Sequence, residues 1–101
     1  MLALIQKKTQ KIYEMYRPGG VVSSDTTCWR CGFMADRLID LLIYEGLAAK
    51  RKNVKISAQG HVCVEVTLGD KVVTADPSVE QFSGHTGVVC VEGTHPADEG
   101  F

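Results

Sequence analysis

Cys31, His61 and Asp76 are the residues of this chain whose types and order suit nucleophilic chemistry. A cysteine early in a helix has its thiolate favoured by unpaired backbone N–H groups and by the helix dipole. A histidine beside it completes the activation as an ion pair. A carboxylate on the far ring nitrogen fixes the tautomer and stabilises the imidazolium. Such a set attacks an amide or ester carbonyl and forms a thioester. Water then gives hydrolysis or deamidation, and an amine gives transfer. No metal or cofactor is needed. Taken singly, each residue has a plainer reading: Cys31 as a small buried hydrophobe, His61 as the start of a strand, Asp76-Pro77 as the end of one. Their combination gives the catalytic reading its weight.

The nucleophile needs a helix. Met34, Leu38, Leu41, Leu42 and Glu45 lie on one line, and Ile39 and Ile43 widen the apolar face. This predicts a central helix from about Trp29 to Glu45, closed by Gly46 as a C-terminal cap, with Cys31 in its first turn. Residues 2–16 predict an earlier helix, with Leu2, Ile5, Ile12 and Tyr16 on one stripe and Pro18-Gly19-Gly20 ending it. The loop Ser23-Ser24-Asp25-Thr26-Thr27 between them is rich in helix-capping residues.

The histidine and the aspartate need a hairpin. Val62, Val64, Val66 and Leu68 alternate with His61, Cys63, Glu65 and Thr67, which predicts a strand. Gly69-Asp70 suits a two-residue turn with glycine first, and Lys71 to Ala75 returns antiparallel. That turn pairs Leu68 with Lys71, Glu65 with Thr74, Cys63 with Asp76 and His61 with Ser78. His61 and Asp76 then share a face as diagonal neighbours, roughly 7–8 Å apart at the backbone, within side-chain reach. A slip of one residue destroys the arrangement. The valine face points away from His61 and requires a cover from the first helix or the last strand. Val54 to Ser57 reads as a short strand, Gln59-Gly60 as a break, Lys50-Arg51-Lys52 as a solvated connection and Gly87 to Val91 as a further strand. The tail from Gly93 reads as loose.

With 101 residues the chain is expected to form a single domain, 1–101, with a catalytic core at about 25–84. The fold class is α+β, N-terminal helices packed on a small antiparallel sheet. A net charge of -1 and the lack of a polybasic run argue against nucleic acid. The longest apolar stretch, Leu38 to Tyr44, is interrupted by Asp40 and falls short of a membrane span. The opening Met1-Leu2-Ala3-Leu4-Ile5 precedes its lysines, the reverse of a secretory signal, so a cytoplasmic protein with thiols is expected.

Cys31-Gly32-Phe33-Met34-Ala35, followed by an apolar helix to Gly46, resembles the nucleophile helix of transglutaminase-like proteins. Gly60-His61-Val62-Cys63-Val64-Glu65-Val66 resembles their histidine strand, and Val73-Thr74-Ala75-Asp76-Pro77 their aspartate strand. Cys31-Gly32, Asp76-Pro77 and Gly84 also resemble bacteriocin-leader peptidases of the papain clan. The likeness spans about residues 25 to 84 and keeps the clan's order of Cys, His and Asp. It implies a papain-like or transglutaminase-like minimal core, a thiol hydrolase or transferase, and a protein or peptide substrate in a shallow groove. Two features depart from the pattern. Cys63 stands where an aromatic residue is common, and Asp25 stands where papain-like peptidases carry a glutamine that donates to the oxyanion; an ionised carboxylate cannot donate. Trp29, Gln59 or the hydroxyls of Thr26 and Thr27 are substitutes for it, and the Cys31 backbone N–H is a second donor.

Other readings compete. Cys28-Trp29-Arg30-Cys31 is a C-x-x-C sequence, and Cys28, Cys31, His61 and Cys63 supply four ligands of a type suited to zinc. A second C-x-x-C pair is missing, which weighs against it. Cys28 is also an alternative nucleophile or a resolving thiol. A non-catalytic interaction or inhibitor module on the same fold is the remaining alternative. Glu65, His85 and His95 read as solvated, the lesser alternatives being that Glu65 orients its neighbours and that His85 lies near the site.

Overall fold

The structure, a computed structural model, describes residues 1–16, 27–82 and 84–100, and of residues 27–30 it describes the backbone. Helix α1 (Leu2–Tyr16) buries Ile5, Thr9, Ile12 and Tyr13. Thr9 satisfies its buried hydroxyl by donating to the Ile5 carbonyl at 2.6 Å, one turn back. Helix α2 (Thr27–Tyr44) begins two residues before the expected start. Its inward line is Cys31, Met34, Ala35, Leu38 and Leu42, all buried at helical spacing. The apolar face is narrower than its sequence suggests, because Ile43 is 56% exposed. The helix ends as glycine allows: Gly46 has a φ of 84°, its N–H bonds to the Ile43 carbonyl, and the Leu47 N–H reaches back to Leu42.

Four strands follow, β1 (Ala48–Ile56), β2 (Gln59–Leu68), β3 (Lys71–Asp76) and β4 (Val89–Glu92), with a 3-10 turn at Val79–Gln81 between the last two. They form an antiparallel sheet in sequential order. The β2–β3 register is the one the turn predicts, with Leu68 opposite Lys71 and Val64 opposite Ala75. Gly69 has a φ of 63° and Asp70 stays on the negative side, as a glycine-first hairpin turn requires.

The first strand differs from expectation. Lys50-Arg51-Lys52 lies inside β1, and Gln59-Gly60 opens β2 where a break was expected. The turn is Ser57-Ala58, with φ of 51° and 63°. Its lysines and arginine fit an edge strand because each has a partner: Arg51 pairs with Asp36, and Lys50 and Lys52 with Glu65. Glu65 is therefore tied to β1 lysines.

Helices cover one sheet face. Val64, Val66, Val73 and Ala75 pack against Ile5, Ile12, Met34, Ala35, Leu38 and Leu42. The valine face thus finds its cover in both helices. On the opposite face Val54, Ile56, Cys63, Val79 and Phe82 form a second cluster. The tail is not loose. Asp98 accepts from the Lys55 N–H at 3.0 Å, and the Glu99 carboxylate accepts from the N–H groups of Ser57 and Ala58 at 3.1 and 2.9 Å. Among the described residues no helix is long and apolar enough to cross a membrane.

Candidate active site

Three elements converge on His61. It stands near the start of β2, two residues past the Ser57-Ala58 turn's closing pair, and is only 2% exposed. β3 delivers Asp76 on the same face, as its register dictates, and the carboxylate oxygen Oδ2 lies 2.8 Å from His61 Nε2. From α2, Cys31 shares a hydrogen bond with the imidazole. With Nε2 held by Asp76, that bond falls to Nδ1. The Phe82 ring meets the imidazole edge to face, centroids 4.9 Å apart, and holds its plane.

Asp76 is fully buried, and a buried carboxylate is tolerated only when its oxygens are satisfied. Oδ1 accepts from the Ser78 N–H at 2.9 Å and its hydroxyl at 3.2 Å. Oδ2 accepts from His61 and, also at 2.8 Å, from His95 Nε2. His95 is itself buried, which corrects its reading as a solvated loop residue. Sequence reasoning missed it because its partner lies in a distant strand and Thr94-His95-Pro96 carries no local signal.

These contacts set the protonation pattern. Burial pushes the Asp76 carboxyl up, but the hydrogen bonds from His61 and His95 outweigh it and hold it at about 2. Burial depresses His61, yet its bonds to Asp76 and Cys31 raise it to about 9. Cys31 is 1% exposed, and this desolvation disfavours its thiolate. The His61 bond, the Val62 backbone N–H and the histidine's charge reverse that and hold the thiol below its ordinary value. The arrangement therefore favours a thiolate beside an imidazolium. Cys63 shows the contrast: buried in the apolar cluster, it is pushed up to about 12.

Gln81 is a second neighbour that sequence reasoning missed. Its carboxamide nitrogen lies 3.2 Å from His61 Nδ1, and its Oε1 is buried with no hydrogen-bond partner among the described residues. Gly32, next to the cysteine, lies beneath the Arg51 side chain. A Cβ there would come within 3.3 Å of the Arg51 guanidinium, which passes over it to bond Asp36 at 2.8 and 2.7 Å.

The other candidates are not gathered here. Asp25 and Thr26 lie outside the described residues, as do the side chains of Thr27, Cys28 and Trp29. Gln59 is exposed at the outer end of β2, and His85 is half-buried in the loop before β4. Because α2 begins at Thr27, Cys31 is its fifth residue, not part of its first turn. The four N–H groups without an intrahelical acceptor come before it, so its own N–H belongs to the helical ladder. This corrects the expectation of a backbone oxyanion donor at Cys31. Among the described residues no group of three or more His, Cys, Asp or Glu is placed to hold a metal ion. Compared with protein-family models, curated proteins and solved structures, the chain finds no match.

Proposed function

We propose that this chain is a cysteine-dependent hydrolase or acyltransferase of papain-like or transglutaminase-like type, acting on an amide or ester of a protein or peptide. The observation that carries the reading is the division of one buried imidazole between a thiol and a carboxylate, each from a different element. His61 Nδ1 takes the Cys31 proton, and Asp76 stabilises the resulting imidazolium through Nε2. The thiolate adds to the substrate carbonyl, and the tetrahedral intermediate collapses to a thioester as Nδ1–H protonates the leaving group. Water or an amine, activated by the same nitrogen, then releases the acyl group. The chain's own residues supply every proton position in this sequence.

Intact-mass measurement after exposure to an activated ester tests the proposal. A single acyl adduct that maps to Cys31, is lost in Cys31→Ala and decays with turnover supports it; a folded protein that never acylates at Cys31 contradicts it. The near-complete burial of Cys31 favours a second reading, a non-catalytic interaction module in which the ion pair is a structural device. That reading predicts that even the smallest electrophiles label Cys31 only as fast as the protein unfolds.

A further inference from the structure

His95 has no part in the three-residue scheme, yet it is 2% exposed and ends on the same carboxylate oxygen as the base. Its tautomer is fixed from behind. The Ala97 N–H donates to His95 Nδ1 at 3.0 Å, so Nδ1 is an acceptor and the proton sits on Nε2. The ring therefore presents a standing N–H donor to Asp76 Oδ2. With His61 on the same oxygen and Ser78 giving two bonds to Oδ1, the carboxylate accepts four bonds, its full complement. Such a carboxylate cannot rotate without leaving a donor unpaired in the interior.

We propose that His95 is a positioning residue of this site: a fixed donor that locks the Asp76 carboxylate in the one orientation that holds His61 toward Cys31. The inference rests on the proposed thiol chemistry and extends it from three residues to four. It also gives the tail a purpose. The segment that carries His95 is fastened to the Ser57-Ala58 hairpin by Asp98 and Glu99, so the donor arrives on a clamped strap. The titratable groups around Asp76 are His61 and Cys63 of β2, Cys31 of α2 and His95; Lys52 of β1 and Asp98 of the tail act on the neighbouring Cys63.

The test compares His95→Leu, which fills the space without a donor, with His95→Gln, whose amide N–H reaches the same position. Glu99→Ala removes one clasp of the strap, while Asp98 and the Glu99 backbone N–H keep their bonds to Lys55 and His95 stays in place. The readouts are the rate of Cys31 alkylation by iodoacetamide at neutral pH and the imidazole N–H proton resonances. Loss of one bond to a buried charge should slow alkylation about tenfold in His95→Leu, with His95→Gln and Glu99→Ala close to the parent. Wild type should show slowly exchanging Nε2–H protons from both His61 and His95, and Asp76→Asn should abolish both. Equal rates in the Leu and Gln variants overturn the inference. If His95→Leu does not fold, the wild-type spectrum decides: a His95 N–H that exchanges freely with solvent overturns it. Failure of the underlying thiol chemistry reads differently, as a His61→Gln protein whose Cys31 reacts as fast as wild type.

Discussion

At the scale of single residues, chemistry here is set by what each polar atom finds as a partner. The same element type, a thiol, comes out in opposite states at two places. Cys31 gains an imidazolium and a backbone donor and is held low, whereas Cys63, among Val54, Ile56, Val79 and Phe82, rises to about 12. Cys90, half-buried opposite Ala75, rises to about 11. Among these three cysteines, brief treatment with a small alkylating reagent near pH 7 should therefore mark Cys31 alone, read by peptide mapping. Comparable labelling of Cys63 in folded protein contradicts the assignment. The His61–Asp76 pair was legible in the sequence, because period-two alternation and a two-residue turn fix a register. His95 was not: its bond to Asp76 is made by the fold of the tail, and a lone histidine beside a proline says nothing of that.

At the scale of elements, the hairpins do the positioning, and they differ in how well their sequences suit them. The β2–β3 turn has glycine where φ is positive, and its register could be read in advance. The β1–β2 turn places Ser57 and Ala58 at φ of 51° and 63°, a region that L side chains enter at a cost of roughly 1 kcal/mol each. The Glu99 carboxylate offsets that cost by accepting both turn N–H groups. Ala58→Gly should accordingly raise stability by about 0.5–1 kcal/mol in denaturant titration. An unchanged or lowered midpoint contradicts the account of that turn. This turn was hidden in the sequence because Ser-Ala carries no turn signature and three consecutive basic residues masked β1. Their carboxylate partners, Asp36 on α2 and Glu65 on β2, become apparent only in three dimensions. In the core, Leu38→Ala should cost roughly 2–5 kcal/mol, as large-to-small changes at fully buried leucines do.

For the molecule as a whole, the buried network couples folding to pH. Asp76 is lowered from 3.8 to about 2, so its contribution is present above pH 3.8 and is lost as pH falls through about 2. His61 is raised from 6.5 to about 9, so its contribution is present in full below 6.5 and is lost as pH rises through about 9. The shifts correspond to about 2 and about 3 kcal/mol, and since they describe one hydrogen-bonded pair from its two ends they do not add. Thermal unfolding followed across pH should show a plateau between roughly 4 and 6.5 and a decline on either side. His61→Gln should flatten the alkaline decline; a slope that survives this change assigns it to other groups. The α+β class and both helices could be foreseen from apolar spacing. The anchoring of the tail could not, because polar residues bonding to backbone leave no periodic trace.

The pH profile of Cys31 reactivity bears most directly on the central claim that a buried imidazolium keeps this thiol ionised. The midpoint of alkylation by iodoacetamide, followed by mass, should fall below the ordinary thiol value of 9.0, and Asp76→Asn should move it back up. A Cys31 whose midpoint lies at or above 9.0, with the same profile in wild type and Asp76→Asn, would contradict the account.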